Sequence, residues 1–347
     1  MRIAIGILAY NEETVIARTI ESLFRQSLIE RTPPHIQAVQ VVCVPNGCTD
    51  ATAEVARRAL CTEAKRIANG KVTWNVHVLA QAGKSNAWNV FVHELSDQAA
   101  DFVLLIDADV VFPDPNTLQV LLDPLRNNPE AHAAAAKLVK SLAFQPRVGL
   151  LDRLSLAASR LTHATVNGIA GGCYCVRGAI LRKIWMPAGL LGEDGFLAAM
   201  LRTELFTSAD NPRRIVRAEE AAVIYEPETS IRGIYAHSRR LMMGTAMNAV
   251  LYDDLWKSAG SVGAGELIRQ RTASDPQWAY RLIREYVLAS GWWVIPWQIV
   301  FRRLGSVKSL PPARLLVHLP VAVAATLFEV AVSLSANRRL KSLHFSW

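Results

Sequence analysis

Through the first 140 residues, apolar runs of strand length alternate with helix-spaced segments, and each apolar run ends in a polar cluster. Arg2 to Ala9 is a continuous apolar run, and Val15, Ile16, Ile20, Leu23 and Phe24 give Glu12 to Gln26 a helical period. Val39 to Val44 is a second run, closed by the turn residues Pro45-Asn46-Gly47. Thr49 or Asp50 can cap a helix reaching about residue 69. A third run spans Val72 to Ala80, a helix is expected from Lys84 to Leu95, and Phe102 to Ile106 is a short apolar strand ending in Asp107-Ala108-Asp109. This alternation predicts an α/β fold, a mostly parallel sheet with helices on both faces. Such sheets bind ligands beyond the carboxyl ends of their strands. Four polar clusters are expected to meet there: Tyr10-Asn11-Glu12, Asn46 to Asp50, Gln81 to Asn86, and Asp107 to Asp109.

Beyond residue 140 the pattern loosens. A helix is expected over Arg147 to His163, then a small-residue stretch through Gly171-Gly172, and a short strand around Tyr174. Gly192-Glu193-Asp194 opens a helix to about Leu205, Pro227 ends another strand, and Ser230 to Lys257 reads as helical. The last part is basic: from residue 281 onward nine Lys/Arg stand against two Asp/Glu, whereas the first 280 residues carry a net charge of only +1. That asymmetry excludes a uniformly basic nucleic-acid binder, so no nucleic-acid partner is expected. Leu315 to Leu334 holds fifteen apolar residues in twenty. On a helix, His318, Ala322, Thr326, Glu329 and Ser333 form one small, polar stripe opposite Leu, Val and Phe. Tyr286 to Phe301 carries Trp292, Trp293 and Trp297. A tail lying in a membrane interface is expected, with its basic residues on anionic headgroups; packing on the catalytic part or a dimer interface is the alternative. The organisation expected is a catalytic unit over 1–227 (donor half 1–110, acceptor half 111–227), a helical extension over 228–280 and a membrane-associating tail over 281–347.

Five cysteines at irregular spacing give neither a disulfide framework nor a zinc site, and fit a reducing compartment. The first apolar run stops after about eight residues in Asn-Glu-Glu, which reads as a strand and not a signal peptide. A cytoplasmic location at the inner membrane face, peripheral or monotopic, follows as the expectation.

Asp107 and Asp109 can both reach a hard cation held against phosphate oxygens, although an Asp-x-Asp also serves as a solvated turn or a cap. Lys84, after Gly83, can meet phosphate at a helix start, or stand as a surface lysine. Asn46 and Asp50 can bond a base or ribose, or shape a turn. Glu193 and Asp194 can cap their helix, or supply a general base for an acceptor hydroxyl.

Six segments together resemble the family 2 glycosyltransferases, which have the GT-A nucleotide-sugar fold. They are Ile7-Leu8-Ala9-Tyr10-Asn11-Glu12-Glu13, Asn46-Gly47-Cys48-Thr49-Asp50-Ala51-Thr52, Gly83-Lys84-Ser85-Asn86-Ala87-Trp88-Asn89, Ile106-Asp107-Ala108-Asp109, Gly171-Gly172-Cys173-Tyr174 and Gly192-Glu193-Asp194. The resemblance implies a donor site of Ala9, Tyr10, Glu12, Asn46, Lys84 and Asp107, and a divalent cation, Mg2+ or Mn2+, on Asp109 with Asp107. It implies acceptor contacts at Gly171 and Gly172, and an acidic base at Asp194 with Glu193 as runner-up. Two departures matter. The family usually has Asp at the place of Asn46; Asn keeps a carbonyl acceptor for a base N–H but loses the charge, so a UDP-sugar stays favoured while a GDP-sugar becomes open. Of the Gln-x-x-Arg-Trp of processive synthases, His237-Ser238-Arg239-Arg240-Leu241 keeps only Arg240, which points to non-processive transfer onto a glycan or lipid-linked acceptor. A sugar nucleotidyltransferase would be expected to carry a glycine-rich basic loop after the first strand, which is missing here. The third alternative, a decayed binding module, sits poorly with Asp107, Asp109 and Asp194 all present.

Overall fold

The computed structural model describes residues 1–67, 70–141, 168–228, 230–301, 304–305 and 312–343. The helix expected over Arg147 to His163 lies outside the described residues. The strands are β1 (Arg2–Ala9), β2 (Ala38–Pro45), β3 (Val72–Val76), β4 (Phe102–Asp107), β5 (Val110–Val111), β6 (Ala133–Lys140), β7 (Cys173–Arg177) and β8 (Ile215–Tyr225). They form one sheet in the order β3-β2-β1-β4-β7-β6-β8-β5. The expected parallel half is present: β3, β2, β1 and β4 run parallel, with Leu8 opposite Asp107 and Ala9 opposite Pro45. The other half is mixed. β7 enters antiparallel between β4 and β6, β6 pairs parallel with β8, and β5 closes antiparallel on β8.

Side chains alternate across β1, as a strand buried on both faces requires. Ile3, Ile5, Ile7 and Ala9 enter one core with α1 (Ile16–Phe24), α2 (Thr52–Arg66) and α4 (Thr117–Asn127). Ala4 and Leu8 enter the other, with Trp88 and Phe91 from α3 (Lys84–Val90) and the π-helical turn Phe91–Leu95 that prolongs it. The sequence pattern ran a single helix through this span.

That second core continues without a break into the C-terminal helices. These are α5 (Glu193–Arg202), α6 (Ile231–Ser258), α7 (Ala264–Ser274), α8 (Trp278–Ala289) and α9 (Pro312–Lys341). Met242, Met243, Met247 and Leu251 of α6 pack in one cluster with Val287 of α8 and Val332, Ala336 and Leu340 of α9. The boundary expected at 280/281 therefore falls inside α8. Asn337 of α9 fastens the aromatic segment: its Oδ1 accepts from Val294 N at 2.7 Å and its Nδ2 donates to Trp292 O at 2.8 Å.

The polarity of α9 is turned inside out. Ala322, Thr326, Glu329 and Ser333, the small and polar stripe, are buried at 5% exposure or less. Leu319, Val323, Leu327 and Leu334 face outward, Leu327 at 67% exposure. Leu319–Lys341 is long and apolar enough to cross a membrane by length and composition alone. Because the tail shares the core, Leu340→Ala should destabilise the whole unit by about 2–5 kcal/mol. Denaturant melts followed at the tryptophans would check this; an unchanged midpoint would show that α9 contributes nothing to the core.

Candidate active site

Three strand ends and the start of α3 converge on a cavity of about 220 Å3. Its lining is Leu8, Ala9, Tyr10, Glu12, Asn46, Ala82, Gly83, Lys84, Asp107, Ala108, Asp109 and Arg240. Every donor-site residue expected from the sequence is among them. At the end of β1, Asn11 takes a left-handed φ of 54°, and its Oδ1 accepts from Thr49 N at 2.8 Å. The sharp turn leaves the Tyr10 ring half exposed. Asp50 takes the structural role left open for it: Oδ1 accepts from Thr52 N at 3.0 Å and Thr52 Oγ1 at 2.5 Å, while Thr52 Oγ1 accepts from Glu12 N at 2.7 Å.

Asn46 is buried, and its amide is spent on backbone. Nδ2 donates to Ala9 O at 2.8 Å and Oδ1 accepts from Gly83 N at 3.1 Å. Asn46 thus ties the ends of β1 and β2 to the start of α3. An aspartate would keep the Gly83 bond but set a carboxylate oxygen against the Ala9 carbonyl, so the departure from the family residue has a local structural reason.

Lys84 is the electrostatic centre. Trp88, one turn on, anchors α3 by donating its Nε1 proton to Tyr174 Oη at 3.0 Å. The Lys84 ammonium then sits 2.9 Å from Asp107 Oδ1 and 3.0 Å from Glu193 Oε1. Burial opposes its charge, but Asp107, Asp194 and Glu193 outweigh that and hold it well above the ordinary lysine range. The lysine expected at phosphate is paired with carboxylates from the end of β4 and the start of α5.

Glu193, Asp194, Gly171 and Gly172 stand beside the cavity and not on its lining. Asp194 Oδ2 accepts from Gly171 N at 3.0 Å. A β-carbon on Gly171 would lie 2.7 Å from Asp194 Oδ2 and 3.1 Å from Asp107 Oδ2, so only glycine lets both carboxylates approach this backbone. Gly172 is buried; its carbonyl accepts from Asp107 N at 3.0 Å, and a β-carbon would strike Leu138. It holds Asp107 in place, and its burial leaves little of it open to an acceptor. Burial pushes Asp194 up to about 7, with Glu193 and Asp107 adding to the rise and Lys84 opposing it.

Burial first, then Asp109, Asp107 and Asp50, pushes Glu12 up to about 7. Burial and Asp107 also raise Asp109. Among the described residues no three such ligands stand close enough to hold a metal by themselves. Asp109 and Asp107 supply two hard oxygen donors, and the crowded negative charge is what a divalent cation would relieve once phosphate oxygens complete its shell. Sequence reasoning assigned no role to Leu8, Ala82 and Ala108, apolar residues of the lining, or to the residues of α6 that grip Gly192 and Gly195. Asn248 Nδ2 donates to Gly192 O at 2.8 Å, and Tyr252 Oη donates to Gly195 O at 2.8 Å. Their signal was a four-residue spacing with Arg240 that carries no motif.

The family model for glycosyl transferase family 2 matches residues 4–184. No curated protein matches the chain. Among solved structures, the chain is similar to the mannosyltransferase PcManGT from Pyrobaculum calidifontis, in complex with GDP-Man and Mn2+. The identity is 16% and the TM-score 0.54, over 98% of this chain and 86% of that one. It is also similar to glucosyl-3-phosphoglycerate synthase from Mycobacterium tuberculosis in complex with Mn2+, UDP-glucose and phosphoglyceric acid. That identity is 17% and the TM-score 0.47, over 71% of this chain and 79% of that one.

The Asn46 geometry generates a test. Asn46→Asp should cost about 1–3 kcal/mol of stability, the range for a lost buried hydrogen bond that leaves its acceptor opposed. A thermal melt equal to that of the wild type would show that the amide is not holding Ala9.

Proposed function

Because the chain belongs to glycosyl transferase family 2, we propose that it moves a single sugar from a nucleoside-diphosphate donor to an acceptor hydroxyl, with inversion, at the cytosolic membrane face. The observation that carries this reading is Lys84 bridging Asp107 of the donor cavity to Glu193, next to the half-buried carboxyl of Asp194. Tyr10 would offer the base an exposed ring, Ala9, Glu12 and Asn46 would shape the nucleoside end, and Arg240, which lines the cavity from α6, would meet the diphosphate. A divalent cation held by Asp109 and Asp107 would neutralise the departing diphosphate. Glu193 is committed to the Lys84 ammonium, which leaves Asp194 as the carboxyl for the acceptor. Asp194 takes the proton of the acceptor hydroxyl, since its position near 7 matches a base working at neutral pH. The complex of PcManGT with GDP-Man supports a nucleoside-diphosphate sugar as donor.

The membrane face is supported by α9. A helix that spends its polar stripe on the protein and shows Leu319, Val323 and Leu327 outward gains by meeting hydrocarbon. The exposed Trp292, Trp297 and Phe301 suit the headgroup region. Lys341 Nζ is held by Val287 O and, at 2.8 Å, by Ser290 O, so α9 stays on the protein and offers only one side to lipid. The acceptor is accordingly a glycan or lipid-linked hydroxyl at that surface.

Three outcomes follow. With Mn2+ and a panel including UDP-glucose and GDP-mannose, the wild type should release nucleoside diphosphate, and Asp194→Asn should lose on the order of 100- to 10,000-fold in rate while still binding donor. Near-normal turnover in that variant, with loss in Glu193→Gln, would swap the roles. The rate should fall as pH drops through about 7, where Asp194 becomes protonated. Lys84→Met, removing the cation that lowers Asp194, should move this acid limb to higher pH; a limb that stays put would refute the pairing. Val323→Glu with Leu327→Glu should weaken sedimentation with anionic lipid vesicles, and equal binding would place the membrane contact elsewhere.

A further inference from the structure

One stripe of α6 runs from the donor cavity to the acidic turn. Arg240, Gly244, Asn248 and Tyr252 are spaced by four residues and share a helix face. Arg240 lines the cavity. Gly244 lies against the chain entering the turn: a β-carbon there would be 2.9 Å from Gly192 N and from Leu191 C. Asn248, at 4% exposure, gives its Nδ2 proton to Gly192 O, which also accepts from Phe196 N at 3.0 Å inside α5. A β-carbon on Gly192 would lie 2.9 Å from that same Nδ2 and 3.2 Å from the Gly244 carbonyl carbon and oxygen, so the turn seats directly on the α6 backbone. Tyr252 Oη closes the grip on Gly195 O, and its ring packs at 6.1 Å from Phe196 and 5.5 Å from Phe206. Glu193 and Asp194 are the two residues between the gripped carbonyls, the first reaching Lys84 and the second Gly171 N.

We propose that Asn248 is a positioning residue for the acidic pair: from the face of α6 that carries Arg240 into the cavity, its amide fixes the Gly192 carbonyl and thereby the directions in which Glu193 and Asp194 project. The proposal rests on the reading of Asp194 as the base. An α5 held only by its own first turn could pivot about Gly192. The Asn248 amide removes that freedom, and Gly244 sets how closely the turn seats. Misplacing a reacting group by about 1 Å costs on the order of 100-fold in rate without any change in donor contacts.

The test uses the full chain with Mn2+ and GDP-mannose or UDP-glucose, reading nucleoside diphosphate released to water. Asn248→Leu, close in volume but without the donor, should lower kcat about 10- to 100-fold. The donor KM should stay within about twofold, and the acid limb should move as Asp194 leaves its seat. Gly244→Ala is the second variant: alanine favours the helix, so a loss there comes from the contact with Gly192 and not from α6 melting. It should show the same kcat loss at constant donor KM. Wild-type kcat and an unmoved acid limb in both variants would overturn the proposal, as would a rise in donor KM that accounts for the whole effect. Failure of the wild type to release nucleoside diphosphate from any donor would instead refute the transferase reading itself.

Discussion

A lysine ammonium shared by two carboxylates, within reach of a third, is the constraint on which the catalytic unit depends. Asp107 ends β4 and Glu193 opens α5, so the Lys84 bridge joins the parallel half of the sheet to the region built after residue 170. Take away the lysine and Asp107, Glu193 and Asp194 crowd one partly buried space as uncompensated charges, which costs far more than the bridge is worth as a surface pair. With it, the carboxyls are differentiated by their neighbours. Glu193 has the ion pair, while Asp194 has a backbone N–H and a charge that burial opposes.

The supports of this bridge reach far along the chain. Lys84 is fixed through Trp88 on Tyr174 of β7, and the start of its helix through Asn46 on Gly83. The acidic turn is fixed by α6, and α6 is packed in turn by α8 and α9. The cavity, the acidic turn and the outward apolar helix are therefore tied to one core.

The donor half was legible in the sequence because parallel strands buried on both faces must be continuous apolar runs, and the polar residues that interrupt them can only be at their ends. Tyr10, Glu12, Asn46, Lys84, Asp107 and Asp109 fell out of that rule together. The pairing of β7 between β4 and β6 was not legible, since five residues carry no sign of strand direction. Nor was the fate of Asn46, whose partners are backbone groups that any sequence would supply. The stripe on α9 was found, but its direction was ambiguous. Periodicity tells which residues share a face, and burial alone tells which face is inside. Gly172 matched a motif and proved to be packed under Leu138, because a motif records residue type and not what lies within 3 Å of it.

The continuity of the second core has a consequence for how the chain acquires its structure. Trp88 and Leu340 belong to the same cluster, 252 positions apart in the chain. At ribosomal speeds of about 5–20 residues per second, roughly 10–50 s separate their synthesis. During that interval the parallel half can form, and once α6 is complete at Ser258 its methionine face stays without α9 for the last 82 positions, about 4–16 s. Nascent chains at this stage present a sticky apolar surface to chaperones and lipid alike. Their survival is then governed by translation rate and by what meets α6 first, as much as by the stability of the finished fold.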